Sequence, residues 1–145
     1  MLQATRDPIT VLLVEDNPAE VELASEAFLE WRTPMNLHTV SDGVEALQFV
    51  RQEAPFETAP RPDLIILDVN LPRMDGKSVL TEIKADSNLA AIPVIMMTTS
   101  TDTVEIESLY RLHANAFVPK PMDLNAFFDV IKNIETFWVY TAALP

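Results

Sequence analysis

The chain has 145 residues, is 48% hydrophobic and contains no cysteine, so it is long enough for one domain with a substantial core and cannot form disulfides or thiolate metal sites. Ten Lys and Arg residues oppose 22 Asp and Glu residues, and the formal net charge of −12 argues against direct binding to nucleic acid. No apolar run approaches the roughly 20 residues of a membrane span and the N-terminus lacks the pattern of a secretion signal, so we expect a cytoplasmic protein with no membrane contact.

Apolar runs rich in β-branched residues alternate with helical patterns along the chain. We predict strands at residues 9–15, 36–41, 63–68, 92–98 and 115–119, and helices at residues 18–31, 43–51, 77–86, 101–113 and 123–140. Asn17, which precedes a proline, is typical of a helix start, and Thr101 or Asp102 and then Asp123 are the expected caps of the last two helices. Three prolines within residues 53–62 indicate a loop.

The first, third and fourth predicted strands are almost continuously hydrophobic. Strands with this pattern are buried on both faces, which is typical of a parallel sheet covered by helices on each side. Five strand–helix units of this kind predict an α/β fold with a doubly wound, five-stranded parallel sheet. Because no stretch resembles an interdomain linker, we expect residues 1–145 to form a single domain.

Acidic, amide, hydroxyl and amino side chains occur at or just after the ends of four predicted strands. They are Glu15 and Asp16 at the first, Asp68 and Asn70 at the third, Thr98 at the fourth and Lys120 at the fifth. In an open parallel sheet these ends meet at one edge, where ligands bind. Three crowded carboxylates repel one another unless a cation lies among them, and their oxygens suit Mg²⁺. An ammonium and a hydroxyl nearby suit an oxyanion, so the set predicts phosphoryl transfer to a carboxylate, with Asp68 as the acceptor.

Each of these residues also has an ordinary structural interpretation. Asp16 or Thr98 can cap a helix, Asp68 can be a loop residue and Lys120 can be a solvated charge. An aspartyl-phosphate-type hydrolase is a second hypothesis, but such enzymes commonly place a second aspartate two residues after the nucleophile. This chain has Asn70 there, which cannot transfer a proton. A flavin carrier is disfavoured because the acidic edge would repel an anionic cofactor.

Four segments together resemble the receiver domain of two-component response regulators. They are VLLVEDNP (11–18), DLIILDVNLPRMDG (63–76), IPVIMMTTS (92–100) and AFVPKP (116–121). The resemblance covers about residues 7–137 and implies a flavodoxin-like fold with strand order 2-1-3-4-5. It leaves residues 138–145 as an aromatic C-terminal tail, and it implies a signalling protein with no output domain rather than an enzyme.

The resemblance implies a role for each acidic residue of the predicted site and for Asn70. Asp68 matches the phosphorylated aspartate, Asp16 the carboxylate that binds Mg²⁺ directly, and Glu15 an acidic neighbour that acts through a water molecule. Asn70 matches the residue whose backbone carbonyl binds the metal. A receiver-like module that binds its partner without being phosphorylated is the alternative.

The resemblance also implies which residues respond to the phosphoryl group. Thr98 matches the hydroxyl that changes position, Lys120 the lysine that pairs with the phosphoryl oxygens, and Phe117 the aromatic residue that rotates. The face formed by the fourth helix, fifth strand and fifth helix is expected to change shape. A cis peptide between Lys120 and Pro121 is expected as well.

Residues 52–62, the TTS after the fourth strand and the ending FWVYTAALP resemble the single-domain regulators that serve bacterial and cyanobacterial phytochrome histidine kinases. This resemblance implies a light-sensing histidine kinase as the phosphate donor. The last helix and the tail also carry five aromatic residues, some of which an isolated domain would expose, and these predict a homodimer. They are Phe127, Phe128, Phe137, Trp138 and Tyr140. The alternative is that they pack back onto the sheet.

Overall fold

The five strands form one parallel sheet in the order β2-β1-β3-β4-β5. They are β1 (Ile9–Val14), β2 (Met35–Val40), β3 (Leu64–Asp68), β4 (Val94–Thr98) and β5 (Ala116–Pro119). A computed structural model describes residues 8–99, 102–141 and 144–145 of the chain, and the side chains of residues 140 and 141 lie outside this description. The predicted parallel sheet and its strand order are confirmed.

Five α-helices follow the strands within the described residues, and none of these helices combines the length and hydropathy needed to cross a membrane. They are α1 (Pro18–Phe28), α2 (Gly43–Arg51), α3 (Gly76–Ala85), α4 (Thr103–Arg111) and α5 (Leu124–Ile134). Each begins after a side chain that accepts a backbone N–H of the first turn, where helical partners are missing. These caps are Asn17, Asp42, Asp75, Asp102 and Asp123. Asn17 and Asp123 confirm the prediction, and Asp102 is the cap of α4, whereas Thr101 lies outside the described residues.

The last helix, predicted over residues 123–140, is helical to its end but changes type after Ile134. The α-helix ends at Ile134, and a π-helix, Glu135–Thr141, continues the chain. Glu135 at this junction is 3% exposed, and its Oε2 accepts the backbone N–H of Thr33 at 2.8 Å. Helical periodicity carries no information about such an anchor, because its partner lies far away in the sequence.

The core consists of two layers, one on each face of the sheet, because alternate residues of a strand point to opposite faces. Leu12 and Ile65 belong to the layer shared with α2, α3 and α4. Val11 and Leu64 belong to the layer shared with α1 and α5. All residues of β1, β3 and β4 are buried, as their continuous hydrophobicity predicts. Each fully buried Leu or Ile side chain contributes about 1.5–3 kcal/mol, so the two layers together fix the strand ends relative to one another.

The edge strand β5 ends at Pro119, a position where a residue without a backbone N–H is tolerated. The next N–H, that of Lys120, donates to the Thr98 carbonyl at 2.8 Å and keeps the chain beside β4. The expected cis bond between Lys120 and Pro121 is wrong, since the cis peptide among the described residues is Ala54–Pro55. Cis and trans X–Pro bonds differ little in energy, so a resemblance in sequence does not fix the isomer.

The aromatic residues of the C-terminal region have different surroundings. Phe127 is 6% exposed and lies in the layer with α1 and α5, so it cannot contribute to a dimer face, contrary to expectation. Phe128 and Trp138 are partly buried against the same layer, whereas Phe137 is 54% exposed. The side chain of Tyr140 lies outside the described residues. Part of the predicted face therefore packs back onto the sheet.

Candidate functional site

The strand registers bring the predicted site residues together at the carboxyl-terminal ends of the strands, which lie on one side of the sheet. The Cα pairs at these ends are Val14–Leu67, Asp68–Met97 and Thr98–Pro119. Glu15 follows β1 and Lys120 follows β5, so residues from four strands converge there. The prediction that these strand ends meet is confirmed.

Glu15, Asp16 and Asp68 form an acidic cluster, in which one carboxylate oxygen of each lies within 4.8 Å of the others. Glu15 and Asp68 are 5% and 7% exposed, whereas Asp16 is exposed. Like charges at this separation disfavour ionisation unless a cation offsets them. The oxygen donors and the access from solvent at Asp16 fit a hard divalent ion.

The Asp16 carboxylate is not used as a helix cap. Asn17 Oδ1 instead accepts the N–H groups of Ala19 at 3.0 Å and Glu20 at 3.4 Å. The ordinary interpretation of Asp16 as a cap is therefore wrong, and its side chain is placed in the acidic cluster.

The Lys120 ammonium lies among these carboxylates. Its Nζ donates to Glu15 Oε1 at 2.7 Å and to Asp68 Oδ2 at 3.0 Å, and it lies 3.3 Å from Glu20 Oε1. Burial alone would lower the pKa of Lys120, but the hydrogen bonds to Glu15 and Asp68 outweigh burial and raise the pKa above its ordinary value. Lys120 is thus a buried charge that stays positive, not a solvated one.

Glu15 has an unusual protonation equilibrium because it is buried. Desolvation raises the pKa of Glu15 to about 7, and the nearby charge of Asp68 acts in the same direction. The Lys120 ammonium and the Asn17 N–H, which donates to Glu15 Oε2 at 3.1 Å, act in the opposite direction without cancelling the effect. Without a cation in the cluster Glu15 titrates near neutral pH, and a divalent ion would favour its ionised form.

The loop after β3 is held against Asp68 by backbone contacts. The Asn70 N–H donates to Asp68 Oδ1 at 3.1 Å, and the Gly76 N–H donates to the Val69 carbonyl at 2.9 Å. A Cβ on Gly76 would overlap the Asp68 carbonyl oxygen and lie 2.8 Å from Val69 Cα. Only glycine therefore allows α3 to begin this close to the end of β3.

Thr98 ends β4, and Phe117 lies in β5, which pairs with β4. Thr98 is 1% exposed, and the Asn70 side-chain amide donates to its Oγ1 at 3.5 Å, which is a long hydrogen bond. Phe117 is partly buried against the layer with α2, α3 and α4, and its backbone N–H donates to the Tyr110 hydroxyl at 3.2 Å. These contacts connect the Asp68 loop with β4, and β5 with α4.

Comparison with known proteins assigns the family. The chain matches the response regulator receiver domain over residues 11–132. It belongs to the response regulator receiver family. Response regulator Rcp1 of Synechocystis sp. is 38% identical over 145 residues, which cover 100% of this chain and 99% of Rcp1.

Solved receiver structures are similar to this receiver over nearly its whole length. The phosphorylated cyanobacterial phytochrome response regulator RcpA has a TM-score of 0.92 at 44% identity, covering 96% of this chain and 99% of RcpA. The Mn²⁺-bound form of response regulator Rcp1 has a TM-score of 0.91 at 39% identity, covering 95% of this chain and 99% of that one. This receiver is therefore homologous to phytochrome response regulators, and the receiver fold implied by the four segments is confirmed.

Glu20 belongs to this receiver's site although the sequence did not identify it. Its carboxylate contacts Lys120, and it lies in the first turn of α1, four positions after Asp16. The Asn17 cap is a local pattern that places Glu20 in that turn. The contact itself follows only from the fold, because Lys120 follows β5, which is separated from β1 by β3 and β4 in the sheet.

Proposed function

We propose that this receiver accepts a phosphoryl group on Asp68 from a phosphohistidine of a sensor histidine kinase. The observation that carries the proposal is the position of the Asp68 carboxylate, which lies in the acidic cluster and 3.0 Å from the Lys120 ammonium. In the transfer an Asp68 oxygen bonds to phosphorus, the phosphorus–nitrogen bond of the donor breaks, and its electron pair stays on the imidazole. The homology to RcpA, for which a phosphorylated structure is known, supports the proposal.

The groups that would hold Mg²⁺ are Glu15, Asp16, Asp68 and the backbone carbonyl of Asn70. When bound, the ion would neutralise charge on the carboxylates and on the phosphoryl oxygens. The Mn²⁺-bound form of the relative Rcp1 supports a divalent site, and the oxygen donors of this chain favour Mg²⁺. The crowding of three carboxylates within 4.8 Å is the local observation that fits such an ion.

Lys120 and Thr98 are the proposed contacts of the phosphoryl oxygens. Lys120 supplies a permanent positive charge beside Asp68, and Thr98 supplies a hydroxyl at the end of the neighbouring strand. A phosphoryl group adds negative charge and acceptor oxygens to the site, which would draw both groups toward it. We expect Phe117, linked to α4 by the hydrogen bond from its N–H to Tyr110, to transmit the change to the α4–β5–α5 face.

A phytochrome-type histidine kinase is the proposed phosphate donor. RcpA is a cyanobacterial phytochrome response regulator, and this chain covers 99% of it at 44% identity. We place the exchange in the cytoplasm, and a chain without cysteine is compatible with that reducing environment.

We also propose that two copies associate through the C-terminal aromatic region. Phe137 is 54% exposed and borders an apolar groove with a volume of about 520 Å³. The groove is also lined by residues of β5, α5 and the π-helix, among them Ala116, Val118, Val130, Ile134 and Trp138. Exposed apolar surface of this kind commonly marks an interface. The proposed face also includes Phe128 and Trp138, which are partly buried, and Tyr140, whose side chain lies outside the described residues.

Intact-mass analysis after treatment with acetyl phosphate and Mg²⁺ tests the phosphoacceptor. We expect the wild type to gain one phosphoryl group and Asp68→Asn to gain none. Asp129→Asn changes an exposed aspartate of α5 and serves as the matched control, which should react like the wild type. Equal gains in Asp68→Asn and the wild type would place the phosphoryl group elsewhere, and a folded wild type that gains none would contradict the proposal.

A further inference from the structure

Glu20 makes a contact in this site that phosphorylation of Asp68 does not by itself require. Its Oε1 lies 3.3 Å from Lys120 Nζ, in addition to Glu15 Oε1 at 2.7 Å and Asp68 Oδ2 at 3.0 Å. The ammonium donates hydrogen bonds to Glu15 and Asp68, whereas Glu20 is held to it as an ion pair without a hydrogen bond. Glu20 therefore competes with Asp68 for the positive charge that phosphoryl oxygens would use.

The two carboxylates attract the ammonium in different directions. Glu20 lies in α1, which follows β1, whereas Asp68 ends β3, the strand between β1 and β4. Lys120 follows β5, on the far side of β4, and its Nζ contacts both Asp68 and the Glu20 carboxylate presented by α1. Glu20 thus draws the ammonium toward the β1 side of Asp68.

Glu20 is the most readily released of the three carboxylates. Its side chain is 34% exposed, whereas the side chains of Glu15 and Asp68 are 6% and 9% exposed. Glu15 has a second anchor in the Asn17 N–H. A partly exposed carboxylate can turn toward water at little cost, while a buried one would lose hydrogen bonds that water does not replace. The contact between Glu20 and Lys120 is therefore one that can break and re-form.

We propose that Glu20 is a positioning residue, which withholds part of the Lys120 ammonium from Asp68 and thereby slows phosphorylation. This inference rests on the proposed function of Asp68 as the phosphoacceptor. With acetyl phosphate as donor, an Asp68 oxygen bonds to phosphorus, the phosphorus–oxygen bond to the acetyl group breaks, and acetate leaves with the electron pair. The ammonium turns from Glu20 to the phosphoryl oxygens during this step, so an uncharged residue at position 20 removes the competitor.

The rate of phosphorylation by acetyl phosphate at saturating Mg²⁺, followed by intact mass, tests this role. We expect Glu20→Gln to raise the rate constant about two- to fivefold, the range for a partly exposed ion pair. Glu22→Gln removes the same charge from an exposed position of the same helix and should leave the rate within about 1.5-fold of the wild type. In a Lys120→Gln background, Glu20→Gln should have no effect, because its partner is missing.

A general loss of negative charge would give a different pattern. If Glu22→Gln accelerates the reaction as much as Glu20→Gln does, or if Glu20→Gln acts equally with and without Lys120, the positioning role is overturned. Should Lys120→Gln fail to fold, the comparison between the variants of Glu20 and Glu22 still decides, since both keep Lys120.

Urea unfolding of the same variants separates this inference from the proposed function. A coupling between Glu20 and Lys120 in the free energies of unfolding supports the ion pair without any phosphorylation. No coupling would overturn the positioning role. If the coupling is present but the wild type takes up no phosphoryl group, the proposed function fails and the positioning of Lys120 by Glu20 stands.

Discussion

Replacing Gly76 by alanine tests whether the geometry of Asp68 depends on the close approach of α3. The new Cβ would overlap the Asp68 carbonyl oxygen and would lie 2.8 Å from Val69 Cα and 3.1 Å from the Asp68 carbonyl carbon. These are backbone atoms, and β3 pairs with β1 on one side and β4 on the other. The clash can therefore be relieved only by moving α3 or the end of β3, and not by rotating a side chain.

Two opposing effects set the size of the change. Replacing glycine by alanine within a helix favours folding by roughly 0.5–1 kcal/mol. Overpacking typically costs about 1–3 kcal/mol, and a clash with backbone belongs at the upper end of that range. We expect Gly76→Ala to lower the free energy of unfolding by about 2 kcal/mol and to slow phosphorylation, because Asp68 or the Asn70 loop must shift.

Urea unfolding followed by far-UV circular dichroism measures the stability, and intact mass after acetyl phosphate measures the rate. Ser78→Ala, an exposed change in the first turn of the same helix, is the matched control and should alter the free energy of unfolding by less than about 0.5 kcal/mol. A Gly76→Ala protein that matches the wild type in both stability and rate would refute the argument that this glycine positions Asp68.

Three further predictions concern the pH response, the surface and the core. Burial raises the pKa of Glu15 from 4.5 to about 7. The stabilisation by neutral Glu15 is therefore fully present below about pH 4.5, and up to about 3 kcal/mol of the free energy of unfolding is lost as the pH rises from there through 7. In EDTA the free energy of unfolding of the wild type should fall over this window relative to Glu15→Gln, and a constant difference would contradict the raised pKa. Phe137→Ser should weaken self-association in sedimentation velocity. The control Leu29→Ser, at an 84% exposed position just after α1, should leave self-association unchanged. A wild type that is monomeric with and without phosphorylation would exclude the dimer. Trp31→Phe should lower the free energy of unfolding, measured in urea, by about 1–2 kcal/mol. The change removes the hydrogen bond from Trp31 Nε1 to the Ile131 carbonyl at 3.2 Å and leaves a small void. An unchanged free energy of unfolding would contradict this prediction.

The sequence predicts the site residues that lie at strand ends better than the site residues that other elements bring to those ends. Asp68 and Lys120 follow apolar runs, and parallel pairing brings such positions to one edge whatever the details of the loops. Glu20 escapes this reasoning, because helical periodicity places it in a turn of α1 without indicating which side chain it meets. Its proposed role depends on its contact with Lys120, which follows β5 and is 100 residues away in the sequence, and this proximity is a property of the folded chain.

The C-terminal region shows the same limit in another form. Phe127 and Ile131 are four residues apart, so their shared burial on one face of α5 was available from the helical pattern. The change to a π-helix at Glu135 was not, because it coincides with a hydrogen bond to the backbone of Thr33. A local pattern gives the direction of a side chain within an element but not the point at which a distant contact changes the element.

The division of the core into two layers has an optical consequence. Both tryptophans of the chain, Trp31 and Trp138, belong to the layer shared with α1 and α5, whereas Val69 after Asp68 and Phe117 belong to the opposite one. Tryptophan emission therefore monitors the face of the sheet that does not contain these two residues. A wavelength shift on phosphorylation would mean that the disturbance has crossed the sheet, and Trp138, in edge contact with Phe137, would also register contact with a second copy.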